Sequence, residues 1–150
     1  MYQEVKDNFL FTTDASLLDL EVIYSFISTS YWANGVTKNI VEKSVKNSLC
    51  FAVYDIEQEK KQIGFARVIT DLATFAYMAD VFIIDSYQGK GLGKQLIKFI
   101  LDYPDFKTLR RFLLATRTAH SLYEKFGFSP VKNPENFMAI HKPDIYRLKS

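Results

Sequence analysis

An α/β fold with a mixed sheet is predicted by the alternation of two hydrophobic periodicities along the 150 residues of the chain. Runs in which apolar residues have helical spacing indicate helices, and short runs rich in β-branched and aromatic residues indicate strands. A third observation is that no segment has the composition of a linker. Residues 1–150 are therefore expected to form a single domain with a substantial core.

The first part of the chain predicts one strand followed by two helices. The segment 9–14, FLFTTD, is typical of a short strand, and Asp14 can cap a helix over 17–27, where apolar residues have helical spacing. The segment SYWANG breaks that pattern. A second helix is predicted over 37–48, with Thr37 as its N-cap and an apolar stripe along one side.

Three strands are predicted next, at 49–55, 62–70 and 74–84. Only a short turn separates the last two, so they are expected to form an antiparallel hairpin. A glycine-rich segment, 88–94, then leads into an amphipathic helix that ends at about Asp102.

The last part of the chain predicts a strand at 110–116 and a short helix at 119–126. Gly127 suits the left-handed conformation that ends many helices. A final strand is predicted over 134–140, PENFMAI. The predicted order is therefore strand, two helices, three strands, helix, strand, helix and strand.

Composition excludes several classes of protein. A net charge of +2 is too small to indicate binding to nucleic acid or to an anionic membrane, and no apolar run approaches the roughly 20 residues of a membrane span. The N-terminus lacks the pattern of a secretory signal, so a cytoplasmic protein is expected. Cys50 lies on a strand-like run and is interpreted as a core residue rather than a nucleophile, and two scattered histidines predict no metal site.

The segment 88–94, QGKGLGK, is called here the glycine loop. Its glycines, placed between a strand and a helix, free backbone N–H groups that suit a bound phosphate. The P-loop pattern fails because Gln88 stands where it needs a glycine and Gln95 where it needs a hydroxyl residue. The dinucleotide pattern fails because Lys94 replaces its third glycine. The alternative to a phosphate site is a plain turn with solvated lysines.

The remaining pattern, Gln88-x-x-Gly91-x-Gly93, resembles motif A of the GCN5-related N-acetyltransferases, the GNAT family, which reads Gln/Arg-x-x-Gly-x-Gly/Ala. The downstream segment AHSLYEKFGF resembles a second pattern of that family at Ala119, Tyr123, Gly127 and Phe128. The two motifs have the family's order, and the order of strands and helices agrees along nearly the whole chain. The resemblance implies the GNAT fold, a mixed, mostly antiparallel central sheet flanked by about four helices, in which the fourth and fifth predicted strands, 74–84 and 110–116, splay into a V.

The resemblance also implies acetyl-CoA as the cosubstrate, bound in that V without a metal. Its pyrophosphate would be held by the glycine loop, which consists of Gln88, Gly89, Lys90, Gly91, Leu92, Gly93 and Lys94. Its pantetheine arm would pair, in the manner of a strand, with the backbone of Val81, Phe82 and Ile83. Such pairing uses main-chain groups, so side-chain identity there carries little information.

Tyr123 is the residue to which the resemblance assigns chemistry, because the family's tyrosine lies beside the thioester sulfur and can protonate the departing thiolate. The amine would attack directly in a ternary complex, with a backbone N–H of the fourth strand polarising the acetyl carbonyl. The alternative is that Tyr123, on one helical face with Ala119 and Phe126, is a core residue. The family often has an asparagine three residues before the motif alanine, and here that residue is Thr116.

Four residues are candidates for the acceptor side. Asp80 lies in an otherwise apolar strand and is a candidate general base, since burial disfavours the charged carboxylate and an alkylamine must lose a proton before it attacks. The alternative for Asp80 is a structural pairing. Arg67 would bind an acceptor carboxylate or pair with Asp80, depending on strand register. Tyr31 and Trp32, in a turn that lines the substrate side in this family, would form the wall of a small pocket or belong to the core.

We therefore expect a cytoplasmic, bacterial-like N-acetyltransferase that acts on the primary amine of a small metabolite, either amino-acid-like or polyamine-like. One alternative is a protein or peptide acetyltransferase that acts on lysine or N-terminal amines. Another is a CoA-binding sensor without turnover. A monomer or homodimer is expected, with neither nucleic acid nor a membrane as partner.

Overall fold

The computed structural model describes residues 1–147, in which six strands form one mixed sheet. The strands in this range are β1 (Gln3–Lys6), β2 (Phe9–Thr12), β3 (Leu49–Asp55), β4 (Lys61–Thr70), β5 (Phe75–Ile83) and β6 (Arg111–Leu114). The α-helices in this range are α1 (Leu20–Ile27), α2 (Lys38–Lys46), α3 (Leu92–Leu101) and α4 (His120–Glu124). The predicted α/β class with four flanking helices is confirmed.

The strands lie in the sheet in the same order as in the chain, from β1 to β6. Each neighbouring pair is antiparallel except β5 and β6, which are parallel and are connected through α3. The predicted hairpin between the third and fourth sequence-derived strands is confirmed as β4 and β5. Because this parallel pair requires a long connection, the chain leaves the carboxyl end of β5 through the glycine loop and α3 before it enters β6.

Helices cover both faces of the sheet. One face packs α1 and α2 against a cluster that includes Phe65 and Phe82. The other face packs α3 and α4 against a larger cluster that includes Phe51. The inward side of α3 is fully buried at Leu96 and Ile97, and each such side chain contributes roughly 1.5–3 kcal/mol relative to an exposed one. This burial fixes α3 and therefore the position of its first turn.

Local capping explains where the first helices begin. Thr37 caps α2 through its hydroxyl, as predicted. The predicted helix start at 17 is wrong, because Asp14 caps only a short 3-10 turn, Ala15–Leu17. A second acid, Asp19, accepts hydrogen bonds from the next backbone N–H groups and starts α1 at Leu20.

Two further differences concern the sheet edges. The strand β1 was not expected, because its four residues are exposed and have no hydrophobic alternation. The predicted strand over 134–140 is wrong for the described chain, in which a 3-10 turn, Pro134–Asn136, is followed by residues in no strand. The sheet accordingly ends at β6 within residues 1–147.

The predicted V opens between β5 and β6. Pairing between them covers only Phe75 to Met78 on β5, and β6 ends at Leu114 opposite Met78. The strand β5 continues alone on this side to Ile83. An open strip of backbone at 79–83 therefore leads from the end of β6 towards the glycine loop.

Candidate active site

The glycine loop is a cradle of exposed backbone at the start of α3. Gly89 and Gly91 have positive φ angles of 82° and 79°, in the left-handed region that favours glycine. A Cβ built on either residue meets no atom within 4 Å, so open space lies next to both positions. Gly91 occupies the N-cap position and has no side chain to bond the first-turn N–H groups of α3, which remain available to an anion.

The loop is held in place by the side chain of its first residue and by that of Tyr87, just before it. Gln88 donates from Nε2 to the carbonyl of Ile83 at 3.0 Å, which ties the loop to the end of β5. Tyr87 donates from its hydroxyl to Oδ2 of Asp55 at 2.6 Å. That hydrogen bond is the main reason why the pKa of the buried Asp55 carboxyl lies below its ordinary value. The Gln88 side chain therefore positions the loop within this structure.

Positive charge lies at the rim of the cradle. Lys90 and Lys94 are exposed, and the Lys90 ammonium lies 5.4 Å from the centre of the Tyr87 ring. Among the ion pairs of residues 1–147, neither lysine has a carboxylate partner. Free backbone amides, open space and two cations are features that suit an anionic group such as a phosphate.

A β-bulge interrupts β5 where the V opens. Phe65 pairs with Phe82 and Arg67 with Ala79, so that two residues of β5 lie opposite one residue of β4. One of these two residues is Asp80, whose φ of 55° is unusual for a residue that has a Cβ. Strained backbone of this kind is concentrated at functional sites. The bulge also interrupts the ladder between β4 and β5 beside the open strip of backbone.

The register places Asp80 and Arg67 side by side. Arg67 donates from Nε to Oδ2 of Asp80 at 2.8 Å, and Trp32 donates from Nε1 to Oδ1 at 2.8 Å. Arg67 also donates to the hydroxyl of Ser48 at 3.1 Å. The Asp80 side chain is 7 % exposed. The ion pair between Asp80 and Arg67, which the sequence left as one alternative, is therefore present. Each carboxylate oxygen of Asp80 retains a second lone pair that can accept from a further donor.

Aromatic rings and a second arginine complete this side of the V. The Tyr31 and Trp32 rings meet edge to face, with centroids 5.0 Å apart. The Arg117 guanidinium lies 3.9 Å from the centre of the Tyr31 ring. We call Tyr31, Trp32, Arg67, Asp80 and Arg117 the acceptor cluster, after the role that the sequence predicts for the first four.

The acceptor cluster is joined to the open strip by stacked rings. Phe26 of α1 stacks on Phe82 of β5, with centroids 4.1 Å apart, and also contacts the Trp32 ring. The four sequence-derived candidates, Tyr31, Trp32, Arg67 and Asp80, are thus brought together by the fold. Sequence reasoning missed Phe26 and Arg117, and no pattern around either residue distinguishes it from an ordinary core aromatic or surface cation.

Tyr123 lies on α4 in the same apolar cluster as Ile83 at the end of β5 and Leu92 at the start of α3. It is 9 % exposed, and burial raises the pKa of its phenol. Its ring packs edge to face on Phe128. Both readings of the sequence, a proton donor or a core residue, agree with this placement. Thr116 accepts a hydrogen bond from the N–H of Ala119, so its hydroxyl shapes the turn before α4.

Residues 1–147 contain neither a metal-binding cluster nor a membrane-spanning helix. No group of three or more His, Cys, Asp and Glu side chains in this range has an arrangement that can hold a metal ion. None of the described helices is both long enough and apolar enough to cross a membrane.

Comparisons with known proteins agree with this geometry. The family model described as an acetyltransferase (GNAT) domain matches residues 46–130. An acetyltransferase of Gibberella zeae is 28% identical over 138 residues, which cover 80% of this chain and 78% of that protein. An uncharacterized N-acetyltransferase of Gracilaria tenuistipitata is 34% identical over 123 residues, covering 79% of this chain and 64% of that protein.

A solved structure from Xanthomonas campestris, assigned to the GNAT family as an acetyltransferase, superposes with a TM-score of 0.89. It is 38% identical in sequence, and the match covers 95% of this chain and 99% of that one. The family model spans more than half of the chain and includes both the bulge of β5 and the glycine loop. The protein therefore belongs to the GNAT family of N-acetyltransferases and is an acyltransferase.

Proposed function

We propose that the protein transfers the acetyl group of acetyl-CoA to the primary amine of a small, amino-acid-like acceptor. The observation that supports this most is the continuity of the V, in which the open strip of β5 joins the glycine loop to the acceptor cluster. A ligand that is anionic at one end and reactive at the other fits such a path. Its reactive end would lie beside the Asp80 bulge.

The residues that would hold acetyl-CoA are the predicted ones. The backbone of the glycine loop would bind the pyrophosphate, with Lys90 and Lys94 adding charge at the rim. The backbone of Val81, Phe82 and Ile83 would pair with the pantetheine arm, because no strand of residues 1–147 pairs with this side of β5. When bound, acetyl-CoA supplies the acetyl group as a reactive thioester.

The chain's own groups account for the movement of protons. The acceptor nitrogen forms a bond to the acetyl carbon as the carbon–sulfur bond breaks. The amine proton passes to Asp80, or through water to solvent, and the Tyr123 hydroxyl gives its proton to the departing sulfur. Burial keeps that hydroxyl protonated beyond the ordinary range of a tyrosine, so it remains a proton donor in alkaline solution.

Replacement of Tyr123 by phenylalanine tests the proton donor. Tyr123→Phe is expected to lower kcat roughly 100-fold, the usual size of a general-acid contribution, with an almost unchanged Kd for acetyl-CoA. Tyr103→Phe removes a hydroxyl from another tyrosine packed against the same core cluster and is the matched control. Full turnover by Tyr123→Phe across the pH range would show that Tyr123 is only a core residue.

Arg117 favours an amino-acid-like acceptor over a polyamine. Its guanidinium lies on the Tyr31 ring at the acceptor cluster, and within residues 1–147 it forms no ion pair. Arg67, by contrast, is already engaged by Asp80 and Ser48. A carboxylate on the acceptor would pair with Arg117 in a bidentate manner, whereas a polyamine would be repelled by it.

A screen of amines, read by release of free thiol, tests the acceptor class. Amino acids are expected to be turned over faster than their methyl esters, polyamines and peptides. Arg117→Ala is expected to raise KM for the preferred amino acid by roughly 10-fold, the effect of losing a charge-assisted hydrogen bond, and Arg110→Ala is the control. Preference for a peptide would favour the protein acetyltransferase alternative, and a lack of turnover with every amine would contradict the proposed function.

A further inference from the structure

A short apolar segment stands away from the rest of the molecule. After the turn Pro134–Asn136, the side chain of Met138 is 97% exposed and that of Ile140 is 93% exposed. No backbone hydrogen bond joins residues 138–141 to another part of the described chain. Two large apolar residues, separated by one residue and exposed to this extent, indicate a surface that another molecule covers.

Both ends of this segment are anchored to its own chain. Phe137 packs on the guanidinium of Arg111 in β6, 4.8 Å from ring centre to carbon. Beyond the segment, the carbonyl of Tyr146 packs against Gly35, and Arg147 donates to the carbonyl of Tyr31 at 3.3 Å. The exposed residues therefore form an arm that begins at the rim of β6 and is fixed at both ends.

A vacant space lies next to the same strand. The sheet ends at β6 in residues 1–147, and the outer side of β6 faces a cavity of about 800 Å³. The cavity is bounded by 110–116 on one side, by 126–132 on the other and by Tyr123 of α4. We call this space the β6 slot. None of the residues of the glycine loop lines it, so it is separate from the pyrophosphate cradle.

The β6 slot has the size and chemistry to receive a strand. A strand residue fills roughly 160 Å³ at a rise of ~3.4 Å, a strand spacing of ~4.8 Å and a sheet spacing of ~10 Å, so the slot has room for about five residues. The unpaired edge of β6 offers N–H and C=O groups to such a strand.

The connection between α4 and the arm directs the arm away from its own slot. It contains Pro130 and Pro134, which fix φ and lack an N–H group, and Asn133 has a positive φ of 55°. To enter its own slot, the arm would have to fold back between 126–132 and β6, and the chain would have to make that turn within this stiff connection. Short, stiff connections of this kind favour exchange of the element between two copies.

We propose that residues 138–141 of a second copy of this chain enter the β6 slot as a strand, and that the exchange is reciprocal in a twofold-symmetric homodimer. The inserted strand would cover Met138 and Ile140 and pair with the free edge of β6. It would also lie beside Tyr123, so each copy would complete the wall of its partner's site. This inference does not depend on the identity of the acceptor.

The mass of the protein in solution tests the exchange. Light scattering after gel filtration is expected to give a dimer for the wild type and a monomer for Ile140→Asp, with a lower melting temperature for the variant. Val5→Asp, at the opposite edge of the sheet, is the matched control because Val5 is 61% exposed. A wild-type monomer, or a dimer that survives Ile140→Asp, would overturn the proposal, and so would dissociation by Val5→Asp alone.

Engineered disulfides distinguish exchange from insertion of the arm into its own slot. Leu113→Cys in β6 is combined in turn with Met138→Cys, Ala139→Cys and Ile140→Cys, which samples both faces of the inserted strand. At least one pair is expected to give a covalent dimer on a non-reducing gel, since paired strand residues lie close enough to be bridged. The proposed exchange would be contradicted if disulfides formed only within one chain. It would also be contradicted if none of the three pairs formed a disulfide.

Discussion

The two ends of the V present different kinds of chemical group. The glycine loop presents backbone amides, and its shape depends on residues that follow one another in the chain. The acceptor cluster presents side chains from α1–α2, β4, β5 and the end of β6, and its shape depends on strand register. The comparison teaches that the proposed donor end is encoded by adjacent residues, whereas the proposed acceptor end is encoded by the tertiary fold, so the second can vary without loss of the first.

The largest effect is expected from a change at the acceptor end. Asp80→Asn leaves Arg67 without its carboxylate, which costs on the order of 3 kcal/mol for a largely buried pair. Asparagine tolerates the left-handed backbone of residue 80, so the bulge itself should persist. Turnover is expected to fall at least about 100-fold, the scale of a lost general base, while Kd for acetyl-CoA changes little. Steady-state kinetics and calorimetry measure the two quantities.

A double substitution separates stability from chemistry in this cluster. Asp80→Asn combined with Arg67→Met removes both charges, and such replacements are often neutral for stability. We expect the melting temperature to recover and the turnover to remain low. If turnover recovered together with stability, Asp80 would be only a structural partner of Arg67.

A smaller effect is expected at the donor end. Gly91→Val places a β-branched residue at a φ of 79°, which strains the loop by roughly 1–2 kcal/mol and fills the open cradle. KM for acetyl-CoA is expected to rise about 10-fold, which corresponds to a loss of about 1.4 kcal/mol, with little change in KM for the amine. Gly127→Ala introduces comparable strain at a φ of 95° away from the loop and should lower only stability. An unchanged KM for acetyl-CoA in Gly91→Val would contradict the proposal that the glycine loop binds the pyrophosphate.

The smallest effect is expected from a residue that only supports the loop. Tyr87→Phe removes the hydrogen bond to Asp55, and KM for acetyl-CoA should rise about twofold to threefold, the effect of one weak positioning contact. The pKa of Asp55 is lowered in the folded protein, so this contribution is present above its unfolded value of 3.8 and is lost as the pH falls through the folded value.

The loss of stability on acidification should therefore be shallower in Tyr87→Phe than in the wild type. Chemical denaturation between pH 6 and pH 3 measures the difference, with Tyr103→Phe as the control. Parallel curves for Tyr87→Phe and the wild type would show that the hydrogen bond to Asp55 does not contribute.

The elements with clear local signals could be predicted from the sequence. The hydrophobic periodicities indicate the class, the hairpin of β4 and β5 and the cap at Thr37, and the two motifs are sufficient to indicate the family. The glycine loop belongs to this group, because the positive φ angles at Gly89 and Gly91 are a local requirement that only glycine meets easily. The roles assigned to its residues and to Tyr123 remain predictions.

The elements that were missed depend on distant parts of the chain. The strand β1 has no apolar alternation and exists because β2 offers it an edge. The residues 134–140 have the composition of a strand but lack a partner strand in the described chain, since pairing is a property of two segments rather than one. Arg117 and Phe26 reach the acceptor cluster only through the packing of α1 and the end of β6, which no spacing in the sequence records.

The single cysteine of the chain has a practical consequence for every experiment above that detects a thiol. Cys50 is buried, and burial raises the pKa of its thiol to about 12, so that near neutral pH it exists almost entirely in the protonated, unreactive form. A colorimetric reagent added to the folded enzyme should therefore report released coenzyme A without a background from the protein. The same property leaves introduced cysteines free to pair with each other, and no cysteine-free parent needs to be made first.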